Sequence, residues 1–231
     1  MTKLLLCVAL CAAFAGPARA ADRPFLVTNS AAAEEDEEQV WAVETWYRHT
    51  HGQRSFTIAP EYSFDPVNSV QMEMRRVLDR DAGNGHELEF EFKHLFTRIA
   101  RDGIGAGVVL TLDTARRDGH GPLERSASSL FLPLTVPVGE GAGLLHFNAG
   151  LTWPHAASMR PVGAIAGEFE VWRRTQWFGE WARDSDGALL LTGLRHWIRR
   201  ERLAVDLAWQ REQGEGRVGR GLVLGIAWYD L

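Results

Sequence analysis

The chain has 231 residues, of which 24% are charged and 45% hydrophobic, and this length suits one domain. It carries 25 basic and 30 acidic residues, so it lacks the basic surplus that a nucleic-acid partner requires. Its two cysteines, Cys7 and Cys11, both stand near the start of the chain, which excludes a disulfide-rich scaffold.

Residues 1–20, MTKLLLCVALCAAFAGPARA, predict a secretory signal peptide that is cleaved before Ala21. Lys3 gives a positive start, residues 4–14 form a short apolar run, and the small residues Ala18 and Ala20 precede the cut. The apolar run is too short to stay as a membrane-spanning helix, and we expect no such helix elsewhere in the chain. The mature protein is therefore expected to cross the inner membrane and to contain no cysteine.

Residues 21–39 show no sustained period and end in the acidic run Glu34-Glu35-Asp36-Glu37-Glu38. Because runs of like charge are mostly solvated, we expect a poorly ordered, acidic periplasmic lead-in. Cleavage of the signal removes two of the 25 basic residues and none of the 30 acidic ones, which leaves a net charge of about −7. The mature chain must then be held by backbone pairing and packing alone.

From Val40 to the end of the chain, polar and apolar residues alternate with a period of two, the pattern of β-strands. The predicted strands are 40–50, 54–64, 69–79, 86–98, 104–114, 127–137, 144–154, 162–173, 175–184, 188–199, 202–211 and 220–230. Bacterial outer-membrane barrels have an even number of strands of about 9 to 11 residues each. The sequence therefore predicts an all-β protein, an antiparallel up-and-down transmembrane barrel of about 12 strands over residues 40–231.

The connections between these strands alternate in length and polarity. "DPVN" (65–68) and "ARDG" (100–103) are short, whereas "ARRDGHGPLERS" (115–126) and "EQGEGRVG" (212–219) are longer and more polar. In outer-membrane barrels the short turns face the periplasm and the long loops face outward. This alternation predicts that the first strand begins on the periplasmic side.

Two stretches leave alternatives open. Residues 169–183 either bend at Arg173-Arg174 as a hairpin or form one longer strand. In the last strand, Tyr229 and Leu231 match the terminal pattern that delivers barrels to their insertion machinery. A stronger apolar set stands on the opposite parity: Leu222, Leu224, Ile226 and Trp228. The residues alone do not decide which of these two sets faces lipid.

The segment 86–96, HELEFEFKHLF, raises the question of which face is inside. Glu87, Glu89, Glu91 and Lys93 alternate with Leu88, Phe90 and Phe92. A soluble sandwich would bury the aromatic face, whereas a membrane barrel would turn it to lipid and line its interior with the charges. Nine tryptophans, mostly near predicted strand ends, favour the barrel because indoles concentrate at the bilayer interface. A soluble periplasmic β-sandwich that acts as a binding or scaffold protein is the alternative.

Charged residues of inward parity are the candidate lumen and selectivity residues. They are Glu73, Arg75, Glu87, Glu89, Glu91, Lys93, Glu168, Glu170, Glu180, Arg195 and Asp206. Removing a charge from water costs several kcal/mol unless it is paired, so these residues are either paired in a polar plug or hydrated along a narrow path. The sequence leaves both arrangements open.

A metal site and a catalytic site have weaker support in the sequence. His49 and His51 have workable ligand spacing, but two ligands are too few to define a metal site, so no metal and no cofactor are predicted. His94 with Ser128 or Ser129 offers a base and a nucleophile for a lipid-modifying enzyme. Nothing in the sequence brings them together, so no catalytic residue is predicted.

Both ends of the chain resemble a known family. "RPFLVTNSA" (23–31) followed by "VETWY" (43–47) is similar to the opening of outer-membrane proteins of the phenol-degradation meta-pathway family. "LTGLRHWIRRERLAVDLAW" (191–209) and "GLVLGIAWY" (221–229) are similar to its closing strands. The resemblance implies an outer-membrane barrel that passes or binds small organic molecules, and it supplies no established catalytic residues to carry over to this chain. The acidic run 34–38 replaces the usual Gly-containing lead-in.

Overall fold

The computed structural model describes residues 32–119, 121–139, 142–214 and 217–231, and twelve antiparallel strands in it form one closed barrel. The strands are β1 (Val40–Thr50), β2 (Gln53–Asp65), β3 (Asn68–Asp79), β4 (Gly85–Thr97), β5 (Gly105–Arg117), β6 (Glu124–Val138), β7 (Gly143–Pro154), β8 (Arg160–Trp172), β9 (Thr175–Arg183), β10 (Gly187–Arg199), β11 (Leu203–Gly214) and β12 (Arg217–Trp228). A short helix, α1 (Ile99–Asp102), lies between β4 and β5. The predicted fold class and strand number are confirmed.

The predicted signal peptide and the first part of the lead-in, residues 21–31, lie outside the described residues. Within the described ranges, no helix is long and apolar enough to cross a membrane.

The barrel closes because β1 pairs with β12, from Val43 opposite Trp228 to Thr50 opposite Gly221. Every other strand pairs with its neighbours in the chain. Closure leaves no edge strand with unpaired backbone groups, which is the condition for spanning a bilayer with strands. It also rules out the alternative of an open two-sheet sandwich.

The connections lie at two ends of the barrel, and their lengths overlap, because the seven residues 98–104 lie at the end that was expected to carry short turns. At the turn end, where β1 begins, the connections are 66–67, 98–104, 139–142, 173–174 and 200–202. The opposite end, the loop end, carries the connections that follow β1, β3, β5, β7, β9 and β11. The longest predicted loop is shorter than expected, because β5 continues to Arg117 and β6 begins at Glu124.

Residues 169–183 form a hairpin and not one longer strand. Trp172 pairs with Thr175, and Arg174 between them has a φ of 62°. This left-handed conformation is uncommon for a residue with a side chain and occurs mainly in tight turns. Strands β8 and β9 are therefore separate.

The outer surface of the barrel is apolar. In β4, Phe90 and Phe92 are exposed by 45% and 40%, while Glu91 and Lys93 beside them are buried. Large aliphatic residues around the barrel are also exposed: Leu110, Leu112, Leu132, Leu134, Ile165, Leu194 and Leu207. An exposed belt of this kind is suited to lipid rather than to water. The aromatic face of the segment 86–96 is the outer face.

The last strand presents its stronger apolar set outward. Leu222, Leu224 and Ile226 are exposed, whereas Tyr229 is buried. The physical reason is that Tyr229 carries a hydroxyl, which forms hydrogen bonds to charged groups inside the barrel. The set of Leu222, Leu224 and Ile226 therefore faces lipid, which the sequence alone did not decide.

The expectation that tryptophans mark the membrane interface does not extend to Trp46 and Trp197, which are buried inside the barrel. Trp46 packs with Phe178 and Leu191, and this apolar layer is completed by Ala59, Ala166, Ala208 and Val223. The other tryptophans are exposed on the outer surface: Trp41, Trp153, Trp172, Trp177, Trp181, Trp209 and Trp228. Side chains therefore fill part of the lumen.

Candidate functional site in the barrel interior

The eleven predicted lumen residues stand at alternate positions that face away from the lipid belt. Five of them are buried: Glu91, Lys93, Glu168, Glu180 and Arg195. Glu87 is exposed, and the other five are partly exposed: Glu73, Arg75, Glu89, Glu170 and Asp206. The structure divides most of them among separate clusters, and their role in selecting solutes stays a prediction.

Arg195 is the centre of the first cluster and is only 1% exposed. It lies opposite Asp206 on the neighbouring strand and donates to both of its carboxylate oxygens at 2.8 Å. Its guanidinium also donates to the Tyr229 hydroxyl at 2.8 Å and to Glu44 at 3.3 Å, and Tyr229 donates in turn to Glu44. Bidentate geometry and a complete set of partners offset the loss of hydration. The cluster joins β10, β11 and β1 across the closing seam.

A second cluster surrounds Arg75. It pairs with Glu73 on its own strand and with Glu87 on β4 at 3.0 Å. Glu73 faces Glu89, and Glu89 in turn faces Asp113 on β5. Two guanidinium groups, those of Arg75 and the nearby Arg48, therefore stand beside four carboxylates, so this part of the wall has an acidic excess.

Lys93 is the centre of a third cluster and is 1% exposed. Its Nζ lies 2.9 Å from Asp36 and 3.4 Å from Glu61. The Ser69 hydroxyl donates to Glu61 at 2.7 Å. Because Asp36 belongs to the lead-in, this ion pair joins the segment before β1 to the inner wall of the barrel.

Residues 32–36 lie against the inside of the turn end. The Ala33 N–H donates to Thr135 Oγ1 at 2.9 Å, and Ala32, Ala33 and Glu34 are buried. The Glu35 carboxylate accepts the N–H groups of Ile99 and Ala100 at 2.8 Å each. The lead-in that was expected to be poorly ordered thus has defined contacts here, and the acidic run supplies three of its anchors.

Glu34 also belongs to a cluster of buried interior residues that was not predicted from the sequence. The His146 Nε2 lies 3.8 Å from Glu34 Oε1 and 4.0 Å from Glu168 Oε1. On its other side, His146 Nδ1 is 3.0 Å from Thr135 Oγ1. The inward parity of His146 was readable, but its partners come from separate segments that only the closed barrel brings together.

A vestibule of about 780 Å³ opens at the loop end. Its charged lining comprises one arginine, Arg183, and five acidic residues: Asp79, Asp81, Asp184, Asp186 and Glu212. Deeper in the barrel the interior is filled, since Arg195, Phe178 and Leu191 are each less than 2% exposed. The structure combines an open, acidic entrance with a packed middle.

The remaining sequence candidates are dispersed. His49 contacts Tyr47 with ring centroids 6.5 Å apart, whereas His51 lines the vestibule. His94 contacts Asn68 through Nδ1 at 2.8 Å, and among the described residues no hydrogen bond joins it to Ser128 or Ser129. The two serines lie two strands away and further along the barrel axis, so the geometry does not assemble the base and nucleophile.

No protein-family model matches this sequence, and no curated protein matches it. Solved structures match it in fold. A complex of the KdgM porin with disordered oligogalacturonate has a TM-score of 0.61 at 8% identity, covering 81% of this chain and 98% of that one. This chain has the fold of an outer-membrane β-barrel.

Two further structures agree with that assignment of the fold. The NanC porin gives a TM-score of 0.61 at 8% identity over 81% of this chain and 98% of that one. An outer-membrane channel from Pseudomonas putida F1 gives 0.58 at 9% identity over 86% of this chain and 97% of that one. At such identities the likeness concerns architecture alone.

Proposed function

We propose that this protein is an outer-membrane channel that admits small neutral or cationic organic solutes through its loop-end vestibule. The observation that carries the proposal is the excess of carboxylates over cations along a closed barrel whose outer surface is apolar. The predicted signal peptide supports export, and the belt around Phe90 and Phe92 supplies the lipid contact. Insertion would use the barrel-insertion machinery, as for other proteins of this fold.

The charge balance supports the solute class. Arg48 lies 3.6 Å from Glu212, Arg75 contacts Glu73 and Glu87, and Arg160 contacts Asp186, so these three cations are already paired, which leaves Arg183 as the arginine of the vestibule lining. Unbalanced carboxylates at an entrance raise the local concentration of cations and repel anions. The oligogalacturonate found with the KdgM porin is a polyanion, which this lining would repel.

The resemblance of the terminal strands supports a finer proposal, membership of the phenol-degradation meta-pathway family. Neutral aromatic solutes are compatible with an acidic entrance because they carry no charge. They also match the apolar layer of Trp46, Phe178 and Leu191 that lies below the vestibule. Aromatic alcohols are therefore the first solutes to test.

The experiment is a conductance and swelling assay on purified protein. In planar bilayers under a KCl gradient, the reversal potential should indicate cation preference, and liposomes should swell faster in small neutral solutes than in organic anions of equal size. Anion preference would contradict the proposed solute class. A bilayer that stays silent, even with a variant lacking residues 32–38, would favour a structural role instead of transport.

A further inference from the structure

We infer that Glu34, His146 and Glu168 form a binding site for one divalent transition-metal ion of the Zn²⁺ type at the turn end of the lumen. The three donor atoms lie within 4.8 Å of one another, and all three residues are buried. The site would connect the lead-in to strands β7 and β8. This inference does not depend on whether the barrel conducts solutes.

The wall places two of the ligands on one interior face. His146 on β7 lies opposite Ala166 on β8, and Glu168 follows two positions further along the same strand. Residues two apart in a strand share a face, so imidazole and carboxylate both point inward. Glu34 approaches them from the lead-in, which the bond from the Ala33 N–H to Thr135 holds in place.

The environment of His146 is that of a metal-binding imidazole. Thr135 Oγ1 already accepts the Ala33 N–H at 2.9 Å, and its second lone pair can accept the N–H on His146 Nδ1 at 3.0 Å. With that tautomer, the Nε2 lone pair is directed at Glu34 and Glu168. Metal-bound histidines almost always make such a second hydrogen bond, which orients the ring and sets the tautomer.

The donor set and the distances favour zinc-type ions over calcium or magnesium. One imidazole nitrogen and two carboxylate oxygens suit Zn²⁺ and its neighbours, whereas Ca²⁺ and Mg²⁺ take oxygen ligands. Tetrahedral ligands about 2.1 Å from a metal stand about 3.4 Å apart. The observed separations of 3.8 and 4.0 Å are close to this, so small side-chain movements would complete the site. A water molecule would supply the fourth ligand.

Metal binding is coupled to the position of the lead-in, because Glu34 belongs to it. Two carboxylates buried beside one imidazole concentrate negative charge, which a divalent ion would neutralise. A ligand that binds only the assembled site stabilises that state, and the stabilisation grows with the logarithm of the ligand concentration once this exceeds the dissociation constant. The ion would therefore hold residues 32–36 against the wall.

The test uses the refolded, detergent-solubilised barrel after chelator treatment, with ZnCl₂ titrated in a calorimeter. We expect one Zn²⁺ per chain, and at least about a tenfold weaker affinity in Glu34→Gln and in His146→Gln. Glu37→Gln, an exposed neighbour in the same acidic run, and His155→Asn, at the loop end, serve as matched controls and should bind as the wild type does. Heat-modifiable gel migration verifies folding, and Glu34 lies outside the barrel strands, so its replacement leaves closure intact.

Co²⁺ substitution gives a second readout, since a tetrahedral site with mixed nitrogen and oxygen ligands produces visible absorption that Glu34→Gln should abolish. Stoichiometric binding that is lost in both ligand variants and kept in both controls would support the site. Absence of binding to the wild type would instead indicate an imidazolium–carboxylate cluster and overturn the inference. Equal binding by all variants would indicate surface histidines and overturn it as well.

Discussion

The backbone of Ala33 passes directly over Gly105: a methyl group at position 105 would lie 1.7 Å from the Ala33 carbonyl oxygen. The obstructing atom belongs to the backbone, so no side-chain rotation could relieve the contact. Glycine at the start of β5 is therefore what allows residues 32–36 to lie against the wall.

Gly105→Ala should displace residues 32–36 from the turn end while leaving the barrel closed. We expect larger conductance in planar bilayers than for the wild type, and faster proteolysis within residues 32–38, because the segment can no longer occupy its place. Gly163→Ala is the matched control, since a methyl group there has its nearest neighbour at 3.6 Å, an ordinary contact. Identical conductance and proteolysis in both variants would show that the segment does not restrict the lumen.

Arg195→Met should destabilise the barrel by about 3–5 kcal/mol, because it leaves Glu44 and Asp206 inside without their cation. The measurement is the midpoint of denaturant unfolding in detergent, followed by tryptophan fluorescence. Arg200→Met is the control: this arginine also makes an ion pair, with Glu170 at 3.0 Å, but its side chain is 52% exposed. A surface pair contributes only about 0–1 kcal/mol. Similar losses in the two variants would argue against an energetic role for the buried cluster.

Tyr229→Phe removes the hydroxyl that accepts from Arg195 and donates to Glu44. We expect a loss of roughly 1–3 kcal/mol in the free energy of unfolding, since a buried charged network loses one member while its partners stay. Tyr47→Phe, on the outer surface, should change it by much less. In a double-mutant cycle, Tyr229→Phe combined with Arg195→Met should show a smaller loss than the sum of the single changes.

Glu89→Ala should lower the preference of the channel for cations. Glu89 lies in the row of acidic residues between Glu73 and Asp113, which stands beside Arg75. The reversal potential in a KCl gradient should therefore move toward zero. Glu201→Ala, in a connection at the turn end, removes the same charge outside the barrel wall and should leave the potential unchanged. An unchanged reversal potential in Glu89→Ala would mean that these acidic residues form part of a polar plug and do not select ions.

Thr135→Val should weaken Zn²⁺ binding by about tenfold without changing its stoichiometry, because Thr135 orients His146 and is not itself a ligand. The same change removes the acceptor of the Ala33 N–H. Calorimetric titration with ZnCl₂ measures the effect, and Thr111→Val on β5 provides the same substitution away from the cluster. Affinity equal to that of the wild type would mean that the tautomer and ring position of His146 do not depend on this hydroxyl.

Much of the wall could be predicted from the residues because the relevant signal is local. The alternation of Glu91 and Lys93 with Phe90 and Phe92 separates a charged face of β4 from an aromatic one, and the closed barrel shows that the aromatic face is outside. The predicted strand ends were less accurate than the predicted faces. The run before and after residue 120 contains glycines and charges typical of a loop, yet pairing of β5 with β6 extends to Ala115 opposite Glu124.

The lead-in could not be predicted in the same way. By composition, residues 34–38 are indistinguishable from a solvated acidic tail, because nothing within the segment indicates its partners. Those partners are His146 for Glu34, the amides of α1 for Glu35 and Lys93 for Asp36, which stand far away in the chain. A buried position for such charges depends on compensating groups that the neighbouring sequence does not contain.

The sequence by itself predicted about twelve strands with one apolar and one polar face each, because a period of two is a property of consecutive residues, and it favoured a barrel over a sandwich. Only the tertiary structure decided how the lumen is filled: which carboxylates join Arg195, where Trp46 points, and that Glu34 meets His146 and Glu168. Glu44 and Glu34 are distant in the chain from Arg195 and His146, which they meet inside the barrel. These contacts exist only once β1 has paired with β12 and the wall has closed.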